Sequence, residues 1–457
     1  MTLRVTHCVG FYLPDNLGGT EVYVQDLAVG LGRSSVSSEV VAATDQGYQH
    51  YVWAGAPVSR YPVTWTDLPA AAPGPGGATI TKFQELVLRT RPDVFHLHSW
   101  TTGAGLRHLT QVVALGIPCM VTVHVPSALC LRGTMLLDGE KACDGRIEEG
   151  RCSRCFAISR GVPSFAASVV ARMPSVQLAP DVQQLLGRVG GLLTLRRRVT
   201  TQLSDLRRMA DLSARIVAPS QWVFSALKSN GLPAHKIVLS RQAVDESFAA
   251  RGAAARGRRT DDKAPLRIGF MGRIESYKGL HILVEALHRL PLTLPVELLV
   301  AGGSGDPAYL NLIEREAAGD PRIRFLGSLA HDHLPEFLEK IDLLAVPSNY
   351  METGPLVVSE AFAFGIPVLG ADLGGISERV RNGFDGMLLP FNDSTAWAKA
   401  IADLVRDRGR LAKLAANASV SRTMTTVAEE MAALYRDVIE EAEAAKTGTA
   451  GAGESRA

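Results

Sequence analysis

Short apolar runs of strand length alternate with amphipathic helical patterns in this chain, and the alternation occurs twice. Leu3 to Phe11, Val40 to Ala43, Val94 to Leu97 and Cys119 to Val123 read as strands, and Ile216 to Pro219 and Ile237 to Leu239 resume the pattern after a break. A second series runs through Leu266–Met271, Val296–Ala301, Ile323–Leu326, Leu343–Val346, Pro367–Leu369 and Met387–Leu389. Strands separated by helices become neighbours in one sheet only through crossover connections, so the pattern predicts parallel, doubly wound α/β sheets. Two rounds of it in 457 residues predict two Rossmann-like domains. Between them Ala249 to Ala264 is polar, basic and poor in apolar residues, a linker composition. The expected division is a first domain over 1–248, a linker over 249–264 and a second domain over 265–421. A C-terminal helix over 422–446 and a disordered Gly/Ala/Ser tail over 447–457 complete it, and Ala70 to Ala78 is expected to be a loop. Ligands of such sheets bind at the carboxyl ends of the strands, so a cleft between the domains is the expected site.

Bulk properties exclude several classes. Apolar residues make up 46% of the chain, enough for full cores, and the net charge of +2 gives no field for nucleic acid. Met1 to His7 shows no basic region leading into a long apolar run, so no signal peptide is expected. No segment approaches the roughly 18–20 apolar residues of a membrane span. The expectation is a soluble cytoplasmic protein.

The chemistry concentrates where strands end. Tyr350 to Leu369 places two carboxylates, Glu352 and Glu360, with seven residues between them, after one strand and before the next. Gly354, Pro355 and Leu356 read as a helix start with proline at the first position, a place where free N–H groups accept a phosphate. Gly272-Arg273-Ile-Glu-Ser-Tyr-Lys278-Gly279 follows the first strand of the second domain. An arginine fork and a lysine point charge there suit a diphosphate, and a solvated loop is the alternative. Ala301 to Asp306 and the Gly18-Gly19 turn are glycine-rich strand ends, readable either as tight turns or as close approaches to a ligand. His96 and His98 lie at period two and point to one face, where a core or cleft role is favoured over metal ligation. His124 ends its strand and points into the expected cleft. Ser220 is expected to cap a helix running to Lys228.

With these residues in this order the chain resembles a retaining glycosyltransferase of family 4, with the two-domain GT-B fold. The ordered set is the Gly18-Gly19 loop, Asp93 to His98, His124, Ala218-Pro219-Ser220, Gly272-Arg273 with Lys278-Gly279, and Pro347-Ser348. It continues with the Glu352–Glu360 spacing, Gly374-Gly375-Ile-Ser-Glu378 and Asn382 to Gly386. The resemblance implies a nucleotide-sugar donor (UDP-, GDP- or ADP-linked) held mainly by the second domain. Arg273 and Lys278 would bind the diphosphate, Glu360 the ribose, and Glu352 the hydroxyls of the donor sugar. His124 would lie near that sugar, and Gly19 against the phosphates on closure. The acceptor, a glycan, a lipid or a small molecule, would attack on the face the leaving group departs from. No cofactor is required for such catalysis, because the cations neutralise the leaving diphosphate. Two departures are Thr353-Gly354-Pro355, where the family often has glycine and phenylalanine after the first glutamate, and Ser240 to Asp245, where an Asn-Gly-Val-Asp turn is frequent. A sugar-nucleotide epimerase and a non-catalytic sugar-nucleotide-binding protein remain as alternatives.

Two features fall outside the resemblance. Cys130, Cys143, Cys152 and Cys155 cluster within 26 residues, and only the last pair has a familiar metal-ligand spacing. In a reducing compartment a structural zinc ion is favoured over free thiols and over disulfides. This insertion, 130–155, follows His124 in the acceptor-side domain and is a candidate for shaping the acceptor pocket. Leu185 to Arg198 is apolar and then basic. A buried helix with a basic end is the favoured reading, and an amphipathic contact with an anionic membrane at the inner face is the alternative.

Overall fold

Both sheets form where the sequence places Val-, Ile- and Leu-rich runs, which is what strands covered on both faces require. The computed structural model describes residues 2–14, 18–63, 78–101, 103–174, 176–179, 182, 185–255, 264–420 and 422–453. The chain divides into a first unit, 1–242 with 424–457, and a second unit, 243–423. The expected 70–78 loop lies outside the described residues except at Ala78, as do 256–263 of the expected linker and 454–457 of the expected tail.

The strands of the first unit are β1 (Leu3–Val9), β2 (Val36–Thr44), β3 (Gln49–Trp53), β4 (Ala56–Pro62), β5 (Val94–Leu97), β6 (Cys119–Thr122), the short hairpin β7 (Leu136–Leu137) and β8 (Lys141–Ala142), β9 (Arg215–Ala218) and β10 (Ile237–Leu239). Eight of them form one sheet in the order β10-β9-β6-β5-β1-β2-β4-β3. All pairings in it are parallel except β3 with β4. That hairpin escapes the sequence reading because its turn is Ala54-Gly55, at φ 47° and 82°, rather than the Asn-Gly that usually marks two left-handed residues. Cys8 and Cys119 lie in β1 and β6, where burial pushes both thiols up to about 12 and keeps them protonated.

The second unit holds β11 (Leu266–Met271), β12 (Val296–Ala301), β13 (Ile323–Gly327), β14 (Leu343–Val346), β15 (Val368–Ala371) and β16 (Gly386–Leu389). They form an all-parallel sheet in the order β13-β12-β11-β14-β15-β16. Strand order reverses between β11 and β14, and in the first unit between β1 and β5. Loops leaving the two strands of such a switch point diverge to opposite faces and leave a crevice at the carboxyl ends.

Three boundaries differ from expectation. The first part of the expected linker is helix Glu246–Ala255 of the second unit. Phe248 stacks edge-on to Phe364 at 5.3 Å, and Gly252 lies against Ala363, where a Cβ would come within 2.5 Å of the carbonyl oxygen. Arg251 and the basic residues after Ala255 suggest a solvated strap, but Ala249, Ala250 and Ala253 to Ala255 favour helix, and Phe248 and Gly252 are its buried residues. The C-terminal helix begins at Met424 and belongs to the first unit, burying Val427, Met431, Tyr435 and Val438 at helical spacing. It also continues through 447–453, where composition suggests disorder, because extending an established helix requires no new nucleus.

Candidate functional site

At the second unit's switch point, the loops after β11, β12 and β14 are pinned by their backbones. Gly272 N–H donates to Ala301 O at 3.0 Å, Ile274 N–H to Gly303 O at 2.8 Å and Asn349 N–H to Tyr277 O at 2.7 Å. Two glycines make this possible. Gly279 adopts φ 76°, and a Cβ on it would lie 2.0 Å from Pro347 O; one on Gly302 would lie 1.8 Å from Gly272 O. No other side chain fits either position.

This frame brings Lys278 and Glu352 together. Lys278 Nζ lies 2.8 Å from Glu352 Oε1 and 3.0 Å from the Tyr350 hydroxyl, and 5.1 Å above the Tyr350 ring. Ser348 Oγ donates to the same Glu352 oxygen at 2.9 Å, and the Tyr350 hydroxyl donates to the other. Burial and the neighbouring carboxylate push the Tyr350 phenol well above its ordinary range, so it remains a donor. With both carboxylate oxygens hydrogen-bonded, Glu352 is built to accept and orient. Lys278 uses two of its three N–H donors among the described residues, leaving one for an anion. Arg273 is exposed in the same loop, and its guanidinium makes no hydrogen bond or ion pair among the described residues, while its carbonyl accepts from Glu275 N–H at 3.1 Å.

The sequence places Pro355 at the first helical position, but it occupies the N-cap, and the helix runs Leu356–Ala363. Pro355 holds ψ 98°, which is extended, so the turn closes one residue later. Gly354, Pro355 and Leu356 therefore form the helix entry. Glu360, buried in the second turn, stands 4.0 Å from His331 Nε2. Burial lowers the His331 pKa below its ordinary value, so at neutral pH this contact is a dipole against a carboxylate.

At the first unit's switch point the polar groups are neutral and buried. His124 Nε2 lies 3.2 Å from His98 Nδ1, His98 Nε2 lies 3.0 Å from His7 Nδ1, and His7 Nε2 lies 3.3 Å from Ser38 Oγ. The Gln242 amide donates to His124 Nδ1 at 2.9 Å. With that donor in place each neutral ring carries its proton on Nε2, and the file runs one way to Ser38. Burial lowers His7 and His124 to about 3 and His98 well below its ordinary value. The sequence reading finds His98 and His124 but not His7, which sits mid-strand and meets His96 only through the β1–β5 register. Nitrogens of His7, His96 and His98 come within 4.8 Å of one another. Each already has a hydrogen-bond partner within 3.3 Å, His96 through Tyr435 and Thr122, so a metal would have to displace all of them. Gly19 is the exposed first residue of helix Gly19–Gly32. Ser220 does occupy the N-cap of helix Gln221–Ser229, yet its buried hydroxyl makes no capping bond and has no partner among the described residues.

Two family models match, one to each part of the chain: "Glycosyl transferase 4-like domain" over 18–241 and "Glycosyl transferases group 1" over 254–420. A D-inositol 3-phosphate glycosyltransferase of Stackebrandtia nassauensis is 34% identical over 220 residues, 45% of this chain and 49% of that protein. The chain thus spans about half the length, or less, of the curated relatives it matches. Among solved structures, HepE of Anabaena with UDP and glucose superposes with a TM-score of 0.62 at 17% identity, covering 94% of this chain and 99% of that one. Sucrose-phosphate synthase of Thermosynechococcus elongatus gives 0.62 at 18%, covering 96% and 100%. These likenesses establish the fold as GT-B. With both models matched in order along two doubly wound units, the chain belongs to the group 1, family 4-like glycosyltransferases.

Proposed function

We propose that the protein transfers a sugar from a nucleoside-diphosphate sugar to an acceptor hydroxyl with retention of anomeric configuration. The observation that carries this is the Lys278 ammonium, fixed on Glu352 with one donor left over, beside the unbonded Arg273 guanidinium at a Rossmann switch point. Two cations there meet the negative charge that grows on a departing diphosphate, so the catalytic step requires no metal. Glu352 orients the donor sugar through its hydroxyls, and Lys278 and its hydroxyl partners hold the carboxylate. Glu360, in the second turn of its helix, takes the ribose diol, and the N–H groups of Gly354 and Leu356, on either side of the N-cap Pro355, mark the phosphate end. In the first unit Gly19 serves the phosphates, and His124, with both ring nitrogens bonded to His98 and Gln242, takes a positioning role near the donor sugar and not a direct contact. HepE was solved with UDP and glucose and a starch synthase IV of the same fold with ADP, which supports a nucleoside-diphosphate sugar as donor.

The acceptor side is inferred more coarsely. The curated relative is named for inositol 3-phosphate, a polyol, and a hydroxyl acceptor is what this chemistry needs. We also infer a peripheral contact at the inner membrane face in the cytoplasm, which would bring a lipid-linked acceptor near. Phe165 is 77% exposed and Leu185 86% exposed, with Val169, Met173 and Val189 exposed in the same stretch. No helix among the described residues is long and apolar enough to cross a membrane.

The test is to incubate the protein with UDP-, GDP- and ADP-sugars and follow the anomeric protons by NMR. Slow release of sugar as the donor's own anomer, with free nucleoside diphosphate, is expected from one donor class. Epimerised nucleotide sugar would support the epimerase reading instead, and no turnover of any donor would contradict the transferase. Pelleting with anionic vesicles, weakened by Leu185→Ser with Phe165→Ser, checks the membrane contact.

A further inference from the structure

Four of the six cysteines lie between positions 130 and 155. Three short elements carry them. Cys130 follows the 3₁₀ turn Pro126–Ala128, its N–H bonded to Pro126 O at 2.9 Å. Cys143 leaves the β7–β8 hairpin with its N–H on Met135 O at 2.9 Å. Cys152 and Cys155 lie three residues apart near the start of helix Glu149–Ser159, and so on one face of it. All four line one cavity of about 30 Å³, and none is in a disulfide.

The sulfurs meet acceptors as well as donors: Cys155 Sγ donates to Leu136 O at 3.4 Å and Cys143 Sγ to Asp144 Oδ1 at 3.8 Å, contacts that a bound metal would replace. Asp138 N–H donates to Cys155 Sγ at 3.1 Å and Glu148 N–H to Cys152 Sγ at 3.4 Å, and the Gly145 amide bonds Cys143. A neutral thiol is a weak acceptor, whereas a metal-bound sulfur gains from each such bond. Arg132, Arg146 and Arg151 line the same cavity, and Arg132 Nη1 is buried with no hydrogen-bond partner among the described residues. Four neutral thiols give that guanidinium nothing to pair with, but four thiolates around a divalent ion carry a net charge of about −2. The N-terminus of the helix adds further positive potential at Cys152.

We propose that Cys130, Cys143, Cys152 and Cys155 bind one structural zinc ion as four thiolates. Soft sulfur ligands select zinc over calcium or magnesium, and a site closed by four protein ligands is structural. The spacing of the four cysteines is not that of a ferredoxin run. As placed, the sulfurs do not form a set within 4.8 Å of one another as the histidine trio does, so the ion would draw hairpin, turn and helix together. That helix also carries Phe156 and Ala157 into a small core with Ala167 and Leu195, so the metal would secure the packing of the whole insertion.

The test is elemental analysis of the full-length protein purified without chelator. About one zinc per chain is expected, with loss of most of it in Cys143→Ser and in Cys152→Ser. Stripping zinc from the wild type should lower its melting temperature and speed amide exchange in 130–159, and adding zinc back should restore both. If the variants fail to fold, the wild-type metal content decides alone. Zinc well below one per chain with four titratable thiols, a mass deficit from disulfides, or iron with visible absorbance would each overturn the proposal.

Discussion

At the switch point of the second unit a charged pair, Lys278 and Glu352, stands at 2.8 Å beside an exposed arginine. At that of the first unit, three uncharged histidines run in a hydrogen-bonded file between Ser38 and Gln242. The topology is alike and the electrostatics are opposite. Part of the Lys278 side chain reaches solvent, and the Glu352 carboxylate faces its ammonium. The histidines lie in the core, where desolvation removes the proton. The unit that must meet a diphosphate keeps its cations ready. The other holds rings in place by bonds that fail if any one ring charges.

That contrast breaks first at Lys278. Lys278→Met should lower kcat/KM by about 10²–10³-fold, by removing the cation that meets the leaving diphosphate. It should also cost about 2 kcal/mol of stability in a denaturant melt, because Glu352 is left without its charge partner. Adding Glu352→Gln should recover stability and not activity, and a pair that recovers neither is not coupled as described. Next is Arg273→Ala, expected to weaken nucleoside-diphosphate binding about 10–100-fold, the range for a charged hydrogen bond, with the melting curve unchanged. Loss of stability there would mean that the arginine is structural.

The first unit should answer to packing and to pH. His98→Leu strands His7 Nδ1 and His124 Nε2, and should cost about 2–3 kcal/mol by denaturant melt, while His98→Gln recovers part of that. Imidazoles of the unfolded chain titrate near 6.5, whereas His7 and His124 are held near 3. Between those values the unfolded chain binds more protons, so stability falls as the pH drops below about 6.5 and continues to fall toward 3. Amide exchange at pH 5 should therefore open the β1, β5 and β6 strands before the second unit's sheet. Equal protection would contradict the buried neutral file. The smallest effect belongs to the surface, where Arg215 Nη1 pairs with the largely exposed Glu441 at 2.9 Å. Glu441→Ala should cost less than about 1 kcal/mol.

The sequence makes the second unit far more readable than the first. β11 and β12 fall where the apolar runs place them, and Lys278 and Glu352 follow strands β11 and β14 directly, so local pattern alone locates them. What brings them to contact is strand order, which periodicity does not encode. His7 is hidden for the same reason, since its partner His98 is 91 residues away and only the β1–β5 pairing joins them. The final helix is legible as a helix from Val427, Met431 and Tyr435, but nothing local says that it returns to the first unit to bond His96. The linker is misread because Arg251 and the basic run that follows Ala255 in the sequence mask the Phe248 and Gly252 contacts of helix Glu246–Ala255.

The central claim is that the second unit holds a diphosphate on Lys278 and Arg273. Calorimetric titration of UDP against UMP, with the GDP/GMP and ADP/AMP pairs alongside, tests it most directly. One diphosphate should bind at least about 10-fold more tightly than its monophosphate, and Arg273→Ala should erase most of that margin. Equal binding of both forms, or a margin untouched by the substitution, would contradict the account.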